Sequence, residues 1–195
     1  MDVLSRMAKA LRKQRKTIHK NIMRIILLCV LLLLCSPGYT QTSEYELKAV
    51  FLYNFTQFVS WPESAFTAPD MPFQLCLAGE DPFGHVLDEA VTSEKVGRHQ
   101  IVVRRIHNLE NTASCHMIFI PEKNLSTLDQ ILTIVKGNSV LVVGDEGDSA
   151  EKGATIGFLF VNQRVRLRVN LRSARLANLT ISSKLLKLSD VIEGD

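Results

Sequence analysis

The side chains best equipped for chemistry in this 195-residue chain are four cysteines, five histidines, an acidic loop and a row of arginines. Cys115 adjoins His116, and a thiol beside an imidazole could make a nucleophile and its base. Both fall in the run Cys115-His116-Met117-Ile118-Phe119-Ile120, which reads as a strand. Neighbours on a strand point to opposite faces, so this pair is badly placed to share a proton. His19, His85, His99, His107 and His116 show no H-x-x-x-H spacing and the cysteines no C-x-x-C, so zinc is unsupported. Asp145, Glu146 and Asp148 lack the full ligand spacing of a calcium loop, and a solvated acidic turn is expected there. A nucleophile elbow, a G-x-G-x-x-G turn and a G-K-[ST] loop are all missing. Nothing assembles nucleophile, base and oxyanion donors, so the reading is a protein that is not an enzyme and uses no metal or cofactor. Arg164, Arg166 and Arg168 alternate with Val165, Leu167 and Val169, giving one cationic and one buried face. That row is either a docking patch for an acidic partner or small anion, or an edge strand kept soluble by its charge.

The compartment follows from the first 40 residues. Eight Lys or Arg stand against Asp2 alone, and Ile25–Cys35 is an uncharged run. Ser36-Pro37-Gly38 then breaks it. A basic region, a short apolar run and a breaker form a secretory signal peptide, with cleavage expected at about 38–41. Eleven apolar residues fall short of the roughly 20 a membrane span needs. The chain carries 23 basic and 20 acidic residues; the leader holds eight and one, leaving 15 and 19, a net charge of −4. The basic balance belongs to the leader, and no case for nucleic-acid binding survives. Periplasmic export is the expected localisation. Of the cysteines, Cys76 and Cys115 remain after the leader, either as a disulfide in an oxidising compartment or as two buried thiols.

The elements that would position these groups are legible along residues 41–195, read as one domain. Ser43 could cap a helix whose Leu47, Phe51, Phe55 and Phe58 share a face, with Lys48, Asn54, Thr56 and Gln57 in the polar gaps. Trp61-Pro62 ends that helix. Phe51, Tyr53, Asn54, Phe55, Trp61 and Pro62 therefore make either ordinary core or, at Tyr53 and Trp61, an aromatic contact for a partner. Phe73–Gly79, Gln100–Ile106, Cys115–Ile120 and Ser139–Val143 read as strands. Asp81-Pro82 opens a short helix through Ala90, and Ser126–Lys136 forms another, ended by Gly137. Ile156–Val161 and Arg164–Asn170 read as an antiparallel hairpin, and residues 172–191 as one or two helices. The fold class is α/β: a mostly parallel sheet with an antiparallel edge hairpin and helices on both faces. In such sheets ligands sit beyond the carboxyl ends of the strands, which makes Gly79, Asp81, Gly84 and Asp145 the candidate ligand loops.

The order of motifs resembles the YfiR-like family of exported bacterial proteins. The pieces are Lys48-Ala49-Val50-Phe51-Leu52-Tyr53-Asn54-Phe55 with Phe58-Val59-Ser60-Trp61-Pro62, then Leu75-Cys76-Leu77-Ala78-Gly79 with Asp81-Pro82-Phe83-Gly84. Cys115–Ile120, Val140–Val143, Gly153, Val169-Asn170-Leu171 and Ile181–Leu188 follow in family order. The resemblance implies a periplasmic repressor without catalysis that binds the sensor domain of a membrane-bound diguanylate cyclase and so limits cyclic di-GMP and biofilm. It implies a homodimer, sequestration by an outer-membrane lipoprotein, and a family cysteine pair at Cys76 and Cys115. A second cysteine pair carried by some members, near Gly144–Gly153, is missing here. The alternative reading is a periplasmic solute-binding sensor.

Overall fold

A computed structural model describes residues 44–162 and 164–193. The expected leader, its cleavage site and the Ser43 cap lie outside the described residues.

Helix α1 (Glu44–Phe58) comes first. Its buried residues are Lys48, Ala49, Leu52, Phe55 and Thr56, spaced by three and four as one helical face requires. This corrects the expected stripe by a rotation: Phe51 and Phe58 only flank the core, and Lys48 and Thr56 lie inside it. The helix also stops earlier than Trp61-Pro62. Val59 and Ser60 form strand β1 (Val59–Ser60), which pairs with β9 (Thr180–Ile181). The Ser182 amide donates to the Phe58 carbonyl at 2.8 Å. A tertiary partner for the backbone thus ends the helix before proline has to.

The remaining strands are β2 (Phe73–Ala78), β3 (Lys95–Val96), β4 (His99–Ile106), β5 (Met117–Ile120), β6 (Leu141–Gly144), β7 (Ile156–Val161), β8 (Arg164–Asn170) and β10 (Ser189–Ile192). They form an eight-stranded sheet in the order β10-β8-β7-β6-β5-β2-β4-β3. All neighbours are parallel except β7–β8 and β3–β4. From β2 the chain passes to β4 on one side, then returns to β5 on the other, which puts a topological switch point between β2 and β5.

The hairpin β7–β8 is not the edge of the sheet, as the sequence implied. β10 pairs in parallel outside β8, from Ser189↔Leu167 to Ile192↔Asn170. The closing segment is correspondingly less helical, holding only α4 (Leu171–Leu176) and α5 (Ser183–Leu186) besides β9 and β10. Two helices also shift. α2 runs Val86–Val91 rather than from Pro82, and α3 (Leu128–Ile134) is preceded by a 3-10 segment, Glu122–Thr127.

Strand alternation divides the core. Phe73, Leu75, Leu77, Met117, Phe119, Leu141 and Val143 face α1 and α2. Cys76, Ala78, Ile118, Ile120 and Val142 face α3. Strands buried on both sides read as unbroken apolar runs, which explains why β2, β5 and β6 were visible in sequence. Each fully buried large apolar side chain contributes about 1.5–3 kcal/mol of transfer free energy.

Candidate functional site

The carboxyl edge of the sheet gathers the loops after β2, β5 and β6 against the start of α1. Its centre is a buried ion pair. Lys48 Nζ lies 2.5 Å from Asp145 Oδ1, with side-chain exposures of 3% and 0%. Glu44, one turn earlier, accepts a second bond from the same ammonium. Asp145 takes two further donors on Oδ2, the Tyr45 hydroxyl at 3.0 Å and the Glu122 amide at 3.4 Å. The Asp145 amide donates to the Ile120 carbonyl, so the carboxylate is held at both ends of its residue. Burial pushes the Asp145 carboxyl up, against the opposite pull of Lys48 and Tyr45. Burial, then the charge of Asp145, pushes the Tyr45 phenol up. Phe83 packs edge-on against Tyr45, with ring centroids 5.5 Å apart.

This cluster holds one of the four candidate ligand-loop residues, Asp145, and shows that its oxygens are already occupied. The other three build the loop itself. Gly79 adopts φ +115°, and a β-carbon there would collide with the Asn124 side chain, so only glycine fits. Asp81 does not cap α2; its Oδ1 accepts from the Phe83 and Gly84 amides at 2.7 and 3.2 Å, closing a turn ahead of the helix. Asp81 Oδ2 meets Arg105 Nε at 2.9 Å, and Arg105 also grips Asp88 and the Gly84 carbonyl. That bridge holds the Asp88 carboxyl below its ordinary value. The edge is thus a network of mutually satisfied charges.

Sequence reasoning missed Lys48 and Tyr45. A signal was present: Lys48 lies on the same stripe as Ala49, Leu52 and Phe55. A lysine on a buried face demands an acid elsewhere in the chain.

A second cluster lies at the opposite end of β2. Trp61 is half-buried; its indole N–H donates to the His116 carbonyl at 3.0 Å, and its ring packs edge-on against Phe73. Phe66 stacks between two imidazoles, 3.7 Å from His99 and 4.6 Å from His116. The Gln74 amide donates to His116 Nδ1, so Nε2 carries the proton and donates to the Ala65 carbonyl at 3.1 Å. Burial lowers the His116 pKa. His99 Nδ1 donates to the Met71 carbonyl at 2.6 Å. Both histidines therefore fasten the loop of residues 61–72, and neither is beside a free thiol. Cys115 is bonded to Cys76 with α-carbons 6.0 Å apart, packed under α3. Cys115 and His116 precede β5 rather than belonging to it.

Of the remaining aromatic motif, Phe55 is fully buried and Phe51 lies against Phe158. The Tyr53 hydroxyl donates to Glu94 at 2.8 Å. Asn54 and Pro62 are half-buried. The arginine row divides. Arg164 and Arg166 are exposed, but Arg168 pairs with Glu151 at 2.5 Å and with Asp190 of β10 at 2.9 Å. Arg168 is thereby a strand-joining residue. Among the described residues no group of three or more His, Cys, Asp or Glu is placed to hold a metal ion, and no helix is long and apolar enough to cross a membrane.

Residues 45–190 match the profile of the YfiR/HmsC-like family. The chain belongs to that family. The YfiR/HmsC-like match opens at Tyr45, which touches Asp145, and closes at Asp190, which touches Arg168. It therefore spans the sheet from its carboxyl-edge cluster to its last strand. The YfiR/HmsC-like family is a regulatory one, not a known enzyme family. No curated protein matches the chain. Among solved structures, a conserved domain protein from Vibrio cholerae O1 biovar El Tor is similar, with a TM-score of 0.53 at 10% identity. The alignment covers 76% of this chain and 60% of that one, so this chain spans three-fifths of its length. At that identity the likeness shows the fold alone.

Proposed function

We propose that this protein is a periplasmic, non-catalytic regulator that binds the periplasmic sensor domain of a membrane diguanylate cyclase and restrains cyclic di-GMP synthesis. Membership of the YfiR/HmsC-like family carries the reading. The chemistry of the carboxyl edge supports it. Lys48 pairs with Asp145 and Arg105 with Asp81, which suits a scaffold better than a reaction centre. Partner contact falls to surface groups, and Arg164 and Arg166 supply exposed positive charge on the β7–β8 hairpin. Such charge steers association with an acidic surface. A homodimer and an outer-membrane lipoprotein that withdraws the repressor belong to the same proposal.

Affinity capture of the tagged protein from gently solubilised envelopes tests it. A membrane protein with a periplasmic sensor and a cytoplasmic cyclase domain is the expected catch. Arg164→Glu/Arg166→Glu should recover less of it while keeping the wild-type melting temperature. Capture of other envelope proteins without a cyclase would remove the cyclase from the account.

A further inference from the structure

The α3 face of the sheet is covered unevenly. The core beneath α3 draws on β2, β4, β5 and β6 but on no residue of β7 or β8. Beyond β6 the layer opens into a groove of about 700 Å³ between the end of α3, the 151–153 turn and α4. That size falls within the roughly 300–1,000 Å³ typical of small-molecule sites. The groove lies at the amino ends of β6 and β7, away from the loops where the sequence placed a ligand.

Its floor is apolar. Val140 and Val142 beside and within β6, Leu132 of α3 and Leu176 of α4 supply its apolar lining. Leu176 is 70% exposed, a large apolar side chain presented to solvent on the wall of a concavity. Two of the polar side chains within are already used. The Asn170 amide donates to the Ala150 carbonyl at 2.8 Å and its oxygen accepts from the Ser173 amide at 3.0 Å. The Ser173 hydroxyl donates to the Gly153 carbonyl at 2.9 Å. Asn170 and Ser173 therefore add little free hydrogen-bonding capacity to the apolar lining.

The rim is cationic. Lys136 and Arg172 are exposed and form no ion pair among the described residues. Lys152 pairs with Asp148 at the open surface. The acid on the rim, Glu151, is engaged by Arg168. Residues 41–195 carry a net charge of −4, so this gathering of unpaired positive charge runs against the average of the surface. A cleft bordered by one sign of charge concentrates the opposite sign.

We infer that the groove binds a small amphipathic anion, an apolar body bearing one carboxylate-like headgroup, with Leu132, Val142 and Leu176 taking the body and Lys136 and Arg172 the head. Among the described residues the groove's lining carries no aromatic side chain to stack a base, which disfavours a nucleotide. This inference is independent of the identity of any protein partner.

Decanoate below its micelle concentration is the probe, titrated into the purified protein by calorimetry and thermal shift. Decyltrimethylammonium presents the same body with the opposite charge, and acetate the head alone. Decanoate should bind saturably and raise Tm by mass action, and the two controls should not. Lys136→Glu/Arg172→Glu and Leu176→Asp alter exposed positions, so both should fold normally and weaken decanoate at least about tenfold, the effect of losing some 1.4 kcal/mol of binding. Absence of saturable decanoate binding, equal binding by decyltrimethylammonium, or unchanged affinity in both folded variants would overturn the inference.

Discussion

Lys48→Met should be among the most damaging single changes available in this chain, although Lys48 sits on a helix surface by sequence alone. The substitution keeps the length of the side chain and removes its charge. Asp145, with no side-chain exposure, is then left with the Tyr45 hydroxyl and the Glu122 amide. Breaking a buried pair from one side costs about 3–5 kcal/mol, because the surviving charge is uncompensated. Against a total stability of about 5–15 kcal/mol that is severe. For a domain of roughly 150 residues, each kcal/mol moves Tm by about 2–4 °C, so a fall of about 6–20 °C is expected. Asp145→Asn should cost less, since Glu44 remains beside the ammonium. The double substitution should cost less than the sum, with a coupling of about 0.5–3 kcal/mol. The pH dependence carries a sign. In Lys48→Met the folded carboxyl is raised further above its unfolded value of about 3.9, so the folded state binds more protons and stability grows as pH falls. The gap from wild type should therefore be widest near neutrality and narrow toward pH 4. Urea unfolding at several pH values measures all of this. A loss below about 1 kcal/mol, or a gap independent of pH, would refute the reasoning.

Removing the disulfide by Cys76→Ser/Cys115→Ser opens a crosslink spanning 39 residues. Loop-closure entropy alone then gives about 4 kcal/mol of destabilisation, measured by urea unfolding, and a loss under about 1 kcal/mol would reject that estimate. Burial, aided by the nearby His99, sets the folded pKa of His116 below its ordinary value of 6.5. Below 6.5 the unfolded state takes up the proton first, so stability should fall as pH drops through that value and level off below the lowered folded one. His116→Asn should flatten the decline, and an identical slope in both proteins would assign it elsewhere. Arg168→Ala severs contacts to Glu151 and Asp190 and should cost about 0.5–1.5 kcal/mol with faster amide exchange in β10. Arg166→Ala should stay within about 0.5 kcal/mol, and equal costs would mean that Arg168 does not secure β10.

The parts of the fold that the sequence revealed are those where one local rule acts alone. β2, β5 and β6 are apolar runs because both their faces are covered, and β8 alternates arginine with apolar residues because its faces differ. The parts that stayed hidden depend on distant partners. Ser189–Ile192 is short and polar and becomes a strand only because β8 offers an unpaired edge, with Asp190 meeting Arg168. The end of α1 at Phe58 is set by Thr180 and Ile181, more than a hundred residues away. Asp145 follows a strand end as expected, but it is buried rather than part of a solvated acidic turn, and its partners on α1 precede it by 97 and 100 positions. No spacing rule spans that distance. Asp81 reads as the residue that opens a helix, whereas its Oδ1 closes a turn ahead of α2 and its Oδ2 is fixed by Arg105, a residue on a distant strand.

We propose that this YfiR/HmsC-like protein restrains a diguanylate cyclase. The most direct test of that proposal is the cellular cyclic di-GMP level in a strain lacking the protein, compared with the parent and with the strain complemented by the wild-type gene. A rise on removal and a return on complementation are expected. A level that does not change in either direction would contradict that proposal.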